Sequence, residues 1–269
     1  MAGRVIVVTS GKGGVGKTTT VANIGTGLAL QQKKVVMIDT DIGLRNLDVV
    51  MGMESGIIYD VVDLAEGECR STRQSLVRNR RFKNLFLLPA SQTRNKDAIT
   101  PEQMREIVDE LKEEFDYVLI DCPAGIERGF DNAVAAASEA IVVTIPEVPA
   151  VRDADRIIGL WLNAKEKDKE KKEPVLVLNR LRPDMVRKEE MLGVDDINHT
   201  LAIKLLGIIP EDEEIIIATN KGEPVILNQH SRAGEAFKNI VRRLEGETVP
   251  FMSFDTGIIG RFWNMLHGK

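Results

Sequence analysis

The chain has 269 residues, 43% of them hydrophobic and 29% charged, which suits one large or two small globular domains. This composition excludes disordered, collagen-like and disulfide-rich classes. The net charge of −5 argues against bulk electrostatic binding to nucleic acid or anionic membrane and leaves only local basic patches for either. Aromatics are only 4% while Val, Ile and Leu abound, a balance that favours a parallel sheet under helices over a sandwich. Cys69 and Cys122 lack metal-type spacing and read as reduced thiols. No stretch reaches the ~18 apolar residues of a membrane span. A glycine–lysine loop follows the first apolar run, where a signal peptide would continue. A soluble intracellular protein is expected.

In chain order, Arg4–Val8 is a β-branched run that feeds a glycine loop, and a helix is predicted from Lys17 to about Gln31. Further buried-type strands are predicted at Val35–Ile38, Asn84–Leu88, Tyr117–Ile120, Ala140–Thr144, Val175–Leu178 and Leu205–Ile209. Each is a short apolar run with little polar alternation, as expected of strands covered on both faces. Helical patterns fall between them at Pro101–Glu114, Arg152–Ala164 and Ser231–Leu244, the first with a Thr100 cap and proline in its first turn. This alternation predicts one α/β domain, doubly wound, with a mainly parallel sheet and helices on both faces. The domain is placed at residues 1–246, a linker at 247–255 and an amphipathic helix at 256–269. The mixed-charge run Lys165–Glu173 reads as a solvated helix end or loop.

Gly11-Lys12-Gly13-Gly14-Val15-Gly16-Lys17-Thr18 matches G-x-x-x-x-G-K-[ST] in full, between a strand and a helix. Glycines let consecutive backbone N–H groups turn in around phosphate oxygens, and the helix start adds its positive dipole end. Lys17 would neutralise the β/γ-phosphates, and the Thr18 hydroxyl would ligate Mg²⁺. Spacing alone leaves Lys12 open. It is either a solvent-facing lysine or a cation that reaches phosphates across a dimer interface, where other phosphate-loop enzymes use an arginine finger.

Asp39 and Asp41 end the second strand, and Asp121 ends Tyr-Val-Leu-Ile-Asp, at the sheet edge where open α/β folds bind ligands. Asp39 and Asp41 could hold Mg²⁺ through water and orient an attacking water, while Asp121, in a Walker B pattern, would join the metal shell. Pro123-Ala124-Gly125 could sense the γ-phosphate. Each acid would equally serve as a cap or turn residue just after a strand.

With its additional lysine, the phosphate loop resembles the deviant Walker A signature of the ParA/MinD family of ATPases. Asp-Thr-Asp-Ile-Gly-Leu-Arg-Asn-Leu-Asp (39–48), Leu-Pro-Ala-Ser-Gln-Thr-Arg (88–94), Asp-Cys-Pro-Ala-Gly-Ile-Glu (121–127) and Gly-Glu-Pro-Val-Ile-Leu (222–227) resemble its septum-site-determining members. The resemblance runs from about residue 3 to the C-terminus. It implies an ATPase using Mg²⁺ that dimerises around two ATP molecules and binds membrane on the inner face of the cell. It further implies recruitment of a MinC-type division inhibitor and discharge or positioning by a MinE-type stimulator or another topology factor. On this resemblance Gly11, Lys12, Gly13, Gly14, Val15, Gly16, Lys17 and Thr18 hold the phosphates, with Lys12 reaching across the dimer. Asp41 orients water in switch I, and Asp121 begins switch II. Glu147 and Asp153 match positions near the dimer interface, and Asn179, Pro210 and Asp212 match positions around the adenine. Turn and cap roles would explain these last five as well.

In the last segment Ile258, Ile259, Phe262, Trp263, Met265 and Leu266 fall within about 160° of a helical wheel. A core-docked terminal helix is one reading. Against it, a polar linker precedes the segment, and Trp and Phe beside a basic residue suit a headgroup boundary. Members of the resembled family end in such a membrane-targeting helix. Only Arg261 and Lys269 are surely cationic, so apolar insertion of Ile258, Ile259, Phe262, Trp263 and Leu266 would carry most of the affinity. A second basic cluster, Arg70, Arg73, Arg78, Arg80, Arg81 and Lys83, reads chiefly as a solvated face. Two alternatives remain: a ParA-type DNA-segregation ATPase, relying on such basic residues, and a metal-cluster reductase, for which the cysteines offer no paired ligand set.

Overall fold

All seven predicted strands fall in a single eight-stranded sheet. The computed structural model describes residues 2–95, 97–125 and 128–252. In chain order the elements are β1 (Arg4–Thr9), α1 (Lys17–Leu30), β2 (Val35–Asp39), α2 (Leu47–Val50), α3 (Val61–Ala65), α4 (Thr72–Ser75), β3 (Val77–Arg78), β4 (Leu85–Leu88), α5 (Pro101–Glu114) and β5 (Tyr117–Asp121). They continue with α6 (Arg128–Ala136), β6 (Glu139–Thr144), α7 (Val148–Lys167), β7 (Val175–Leu181), α8 (Pro183–Arg187), α9 (Val194–Leu201), β8 (Lys204–Pro210), α10 (Glu214–Asn220), a 3-10 turn (Val225–Leu227) and α11 (Arg232–Leu244).

The strand order is β3-β4-β2-β5-β1-β6-β7-β8. Every pairing is parallel except β3 with β4. Side chains alternate across the pleat, so each strand feeds two cores. Val5 and Val7 join Val36, Ile38, Val118 and Ile120 under α5, α6 and α7. Ile6 and Val8 join Met37, Leu119 and Ile141 under α1 and α11. That double burial is why the strands read as continuous apolar runs. β1 sits centrally between β5 and β6, so the loop leaving it opens into the crevice where the strand order reverses.

Local signals set several helix boundaries. Thr100 accepts from Gln103 N, the Gln103 side chain accepts from Thr100 N, and Pro101 occupies the first turn, so α5 has the predicted limits. Ser231 caps α11 through Gly234 N. α7 begins one turn before the predicted Arg152, because extended Glu147 is its N-cap and Pro149 fits the first turn. α6 was not predicted. Its buried stripe is Phe130, Ala133 and Val134, with Ala137 just beyond its end, mostly small residues whose periodicity is weak in sequence.

Of the two charged segments expected to be solvated, one is and the other is not wholly so. The basic cluster lies around the β3–β4 hairpin on the sheet edge. All six of its cations are exposed, and Arg73 is clamped by Glu114. The run Lys165–Glu173 is not wholly solvated, since Lys171 is only 5% exposed. Its ammonium donates to Val134 O and Ala137 O at the end of α6 and sits 5.0 Å from the Trp161 ring centre. Those carbonyls have no helical partner of their own, which is what makes burying a lysine there tolerable. The predicted helix at 256–269, with Ile258, Ile259, Phe262, Trp263 and Leu266, lies outside the described residues, as do residues 253–255 of the predicted linker.

Candidate nucleotide site

The phosphate loop joins β1 to α1 at the carboxyl rim of the sheet. Two of its glycines are demanded by neighbours as well as by phosphates. A Cβ on Gly11 would lie 2.4 Å from Asp153 O, because the first turns of α7 press against the loop. Gly16 has φ +101°, and a Cβ there would lie 2.3 Å from Asn179 Nδ2. Asn179, at the end region of β7, donates from that nitrogen to Val15 O at 2.7 Å and accepts from Arg180 N. The asparagine expected near the adenine thus braces the phosphate loop.

Lys17 is buried and donates to Ser10 Oγ at 3.0 Å. Ser10 in turn donates to Lys12 O at 2.8 Å. Ser10 was not singled out from the sequence, where a serine before a glycine loop reads as ordinary turn chemistry. Lys12 points away from this chain of bonds. Its ammonium lies 2.8 Å from Glu147 Oε2, with both side chains well exposed. The structure thus brings together Lys12, Glu147 and the Asp153 backbone at one side of the loop.

The acids separate into different tasks. Asp39 is fully buried, and both of its oxygens accept backbone N–H groups, Oδ1 from Asp41 and Oδ2 from Leu47. It therefore ties the two ends of the 40–47 segment together. Burial pushes its carboxyl up to about 6, against the pull of those two amides. Asp41 is half-buried beside it on the same segment. Asp121 is buried too, and its Oδ1 has no hydrogen-bond partner. Burial drives its carboxyl well above the usual range, with the Asp39 charge adding to the rise, while Thr18 and Lys17 pull it down. A buried acid with an orphaned oxygen beside a threonine hydroxyl is suitable oxygen chemistry for a hard cation such as Mg²⁺. Thr40 Oγ1 and N both donate to Asp121 O, a link between the segment after β2 and the end of β5 that sequence spacing does not reveal.

The remaining expected residues lie farther along the same rim. Pro210 ends β8 and is buried. Asp212 accepts from Ser231 Oγ and Ala233 N on one oxygen and from Glu214 N on the other. Burial raises its carboxyl less than these bonds lower it, and it stays below the usual range. It holds the start of α11 to the loop before α10. Both cysteines are buried free thiols. Burial pushes Cys69 upward and Cys122 to about 12, so neither offers a ready thiolate.

A glycine–lysine loop at the switch point of a doubly wound sheet, with buried acids on adjacent strand ends, defines a phosphate-loop nucleotide-binding protein. The model of the CobQ/CobB/MinD/ParA nucleotide binding domain matches residues 6–225. The septum site-determining protein MinD of Synechocystis is 56% identical over 252 residues, covering 93% of this chain and 92% of that one. This chain belongs to the MinD family of septum site-determining proteins. Among solved structures, the MinC:MinD cell division protein complex of Aquifex aeolicus superposes with a TM-score of 0.85 at 45% identity, over 93% of this chain and 98% of that one. MinD of Pyrococcus horikoshii, complexed with Mg-ADP, gives 0.79 at 29% identity, over 90% and 96%. Among the described residues, no helix is long and apolar enough to cross a membrane.

Proposed function

We propose that the chain is a Mg²⁺-dependent ATPase that places the cell-division septum by switching between a free monomer and an ATP-bound dimer on the inner face of the cell membrane. The dimer recruits a MinC-type division inhibitor, and hydrolysis releases it. A MinE-type stimulator or another topology factor sets where that happens. Support for the nucleotide chemistry lies in buried Lys17 of the phosphate loop and buried Asp121 at the end of the neighbouring strand β5. Support for the cellular role lies in the family, including the relative solved with MinC. The ParA-type reading has less support.

Backbone amides of residues 11–18 and the Lys17 ammonium bind the phosphates, and Asn179, Pro210 and Asp212 frame the base. Thr18 and Asp121 would hold the Mg²⁺, with Asp39 holding the switch I segment in register beside them. When bound, the metal neutralises charge on the β- and γ-phosphates. Asp41 orients the attacking water and accepts its proton. Lys12 leaves Glu147 and reaches the phosphates of the partner's nucleotide. Membrane attachment uses residues 256–269. One amphipathic helix is marginal, so two in a dimer make binding ATP-dependent through avidity.

The test is co-sedimentation of the full chain with phosphatidylglycerol-containing liposomes, in ATP and in ADP, with and without a purified MinC-type inhibitor. Pelleting in ATP only, carrying the inhibitor along, is expected. Equal pelleting in both nucleotides would refute the switch. ATP-dependent retention on DNA without liposome binding would favour the ParA-type reading.

A further inference from the structure

The sequence places a linker at residues 247–255 between the domain and the membrane segment. The described part of that linker, however, is gripped. Arg243, in the last turn of α11, is half-buried, and among the described residues it forms no salt bridge. Instead its guanidinium donates to three carbonyls: Nε to Val249 O at 3.0 Å, Nη1 to Leu206 O at 3.1 Å and Nη2 to Pro250 O at 2.9 Å. Its Cζ also lies 4.2 Å from the centre of the Phe251 ring. Leu206 belongs to β8, the edge strand of the sheet, so one planar fork joins the helix end, the free sheet edge and the linker.

Neighbouring groups reinforce the grip. Arg242 Nε donates to Glu247 Oε2 at 2.8 Å, and Glu247 N donates to Arg242 O at 3.0 Å. Phe251 and Met252 pack their apolar side chains against the two cores. The end of α11 is itself tied down: Arg4 Nη1 donates to Leu244 O, while Lys33 and the Tyr117 hydroxyl both bond Glu245. A desolvated guanidinium is costly unless its donors are used. Here they are used on the backbone of the very segment that leads to the tail.

We propose that residues 247–252 form a docked strap, with Arg243 as its positioning residue, so that the membrane segment departs from a fixed point after Met252. This rests on the reading of residues 256–269 as membrane-binding. With the strap docked, three residues (253–255) separate domain and helix; with it free, nine (247–255) would do so. Tripling a flexible tether lowers the effective concentration of the second tail about fivefold, by the −3/2 power of length.

The experiment uses the full chain with Mg·ATP and phosphatidylglycerol/phosphatidylethanolamine vesicles, together with a spin label on Thr248→Cys, the native cysteines being buried. The label should be restrained in the otherwise wild-type chain and freed by Arg243→Gln. That variant should need about fivefold more vesicles for half-binding while its ATP dimer in solution, measured by sedimentation, stays intact. Phe251→Ala removes only the stacked ring and keeps the helix end whole. It should move both readouts the same way by about twofold, which guards against a folding defect at Arg243. A label already free before substitution would overturn the docking. Unchanged or tighter vesicle binding with a freed label would overturn the positioning role. A wild-type chain that ignores vesicles in ATP but shows a restrained label would instead remove the membrane reading on which the role depends.

Discussion

At the carboxyl rim of the sheet, Lys17 is buried against a neutral serine and Asp121 keeps one oxygen without a partner. At the amino rim, charges of the same kinds are matched inside the protein. Arg4 forks onto Glu139 at 2.7 and 2.9 Å, and Lys172 reaches the same carboxylate at 2.8 Å. Tyr117 and Lys33 complete the set through Glu245. Both rims belong to the same strands, so the difference is not one of fold. Buried charge that is only partly compensated raises the free energy of the domain by itself and is relieved when a ligand of opposite charge arrives. Charge satisfied within the chain stabilises the domain and leaves nothing for a ligand. The carboxyl rim is built to bind and the amino rim to hold.

The sharpest way to break this contrast is at Lys17. Lys17→Ala should weaken ATP binding by about 100-fold, near the upper end of the ~1.5–3 kcal/mol that a hydrogen bond to a charged group contributes, because this one lies in a desolvated site. Calorimetry giving an affinity within threefold of wild type would remove the phosphate role. Asp41→Ala should leave Mg·ATP binding within threefold but slow hydrolysis about 10²-fold in single-turnover assays, the scale of losing a general base. Unchanged turnover would move the role to another carboxylate, Asp39 being the first candidate.

Substitutions at the amino rim should change stability and leave turnover alone. Glu139→Gln should cost about 1–2 kcal/mol, discounted because the Arg4 side chain is a third exposed. Burial alone would raise the Glu139 carboxyl, but Arg4 and Lys172 outweigh it and hold it below the usual range. Its contribution is therefore present above the unfolded value of about 4.3 and is lost as pH falls through the lower folded value. Urea denaturation at pH 7 and at pH 3 should show the variant deficit shrinking in acid. A deficit that stayed constant would assign the loss to packing. The smallest effect is expected at Lys171→Met. It keeps the stem near Trp161 but strips two carbonyls at the end of α6 of their donor, costing about 1 kcal/mol with unchanged turnover. A large loss of turnover would tie that helix end to switch II.

The strand–loop–helix at residues 4–30, the capped helix at Pro101–Glu114 and the two-sided burial of the strands were legible without coordinates. Each is a matter of backbone and side-chain periodicity within a few residues, where sterics and local hydrogen bonds decide the outcome. Glycine at 11 and 16 is likewise visible as a phosphate-loop requirement. That Gly11 also makes room for the backbone at Asp153, and Gly16 for Asn179, is not. Asn179 and Val15 stand 164 residues apart, and no local pattern announces that an amide will brace a loop so distant in sequence. The same holds for Asp39, legible as an acid at a strand end but not as one already engaged by Asp41 and Leu47. It holds as well for Lys171, which in sequence belongs to a charged run of the kind that water usually covers, and for Arg243 in the last turn of a predicted helix. Charge type and spacing follow from the chain itself. Whether a charge meets water, a carbonyl or a ligand depends on which distant backbone the fold brings to it, and only the tertiary structure decided that.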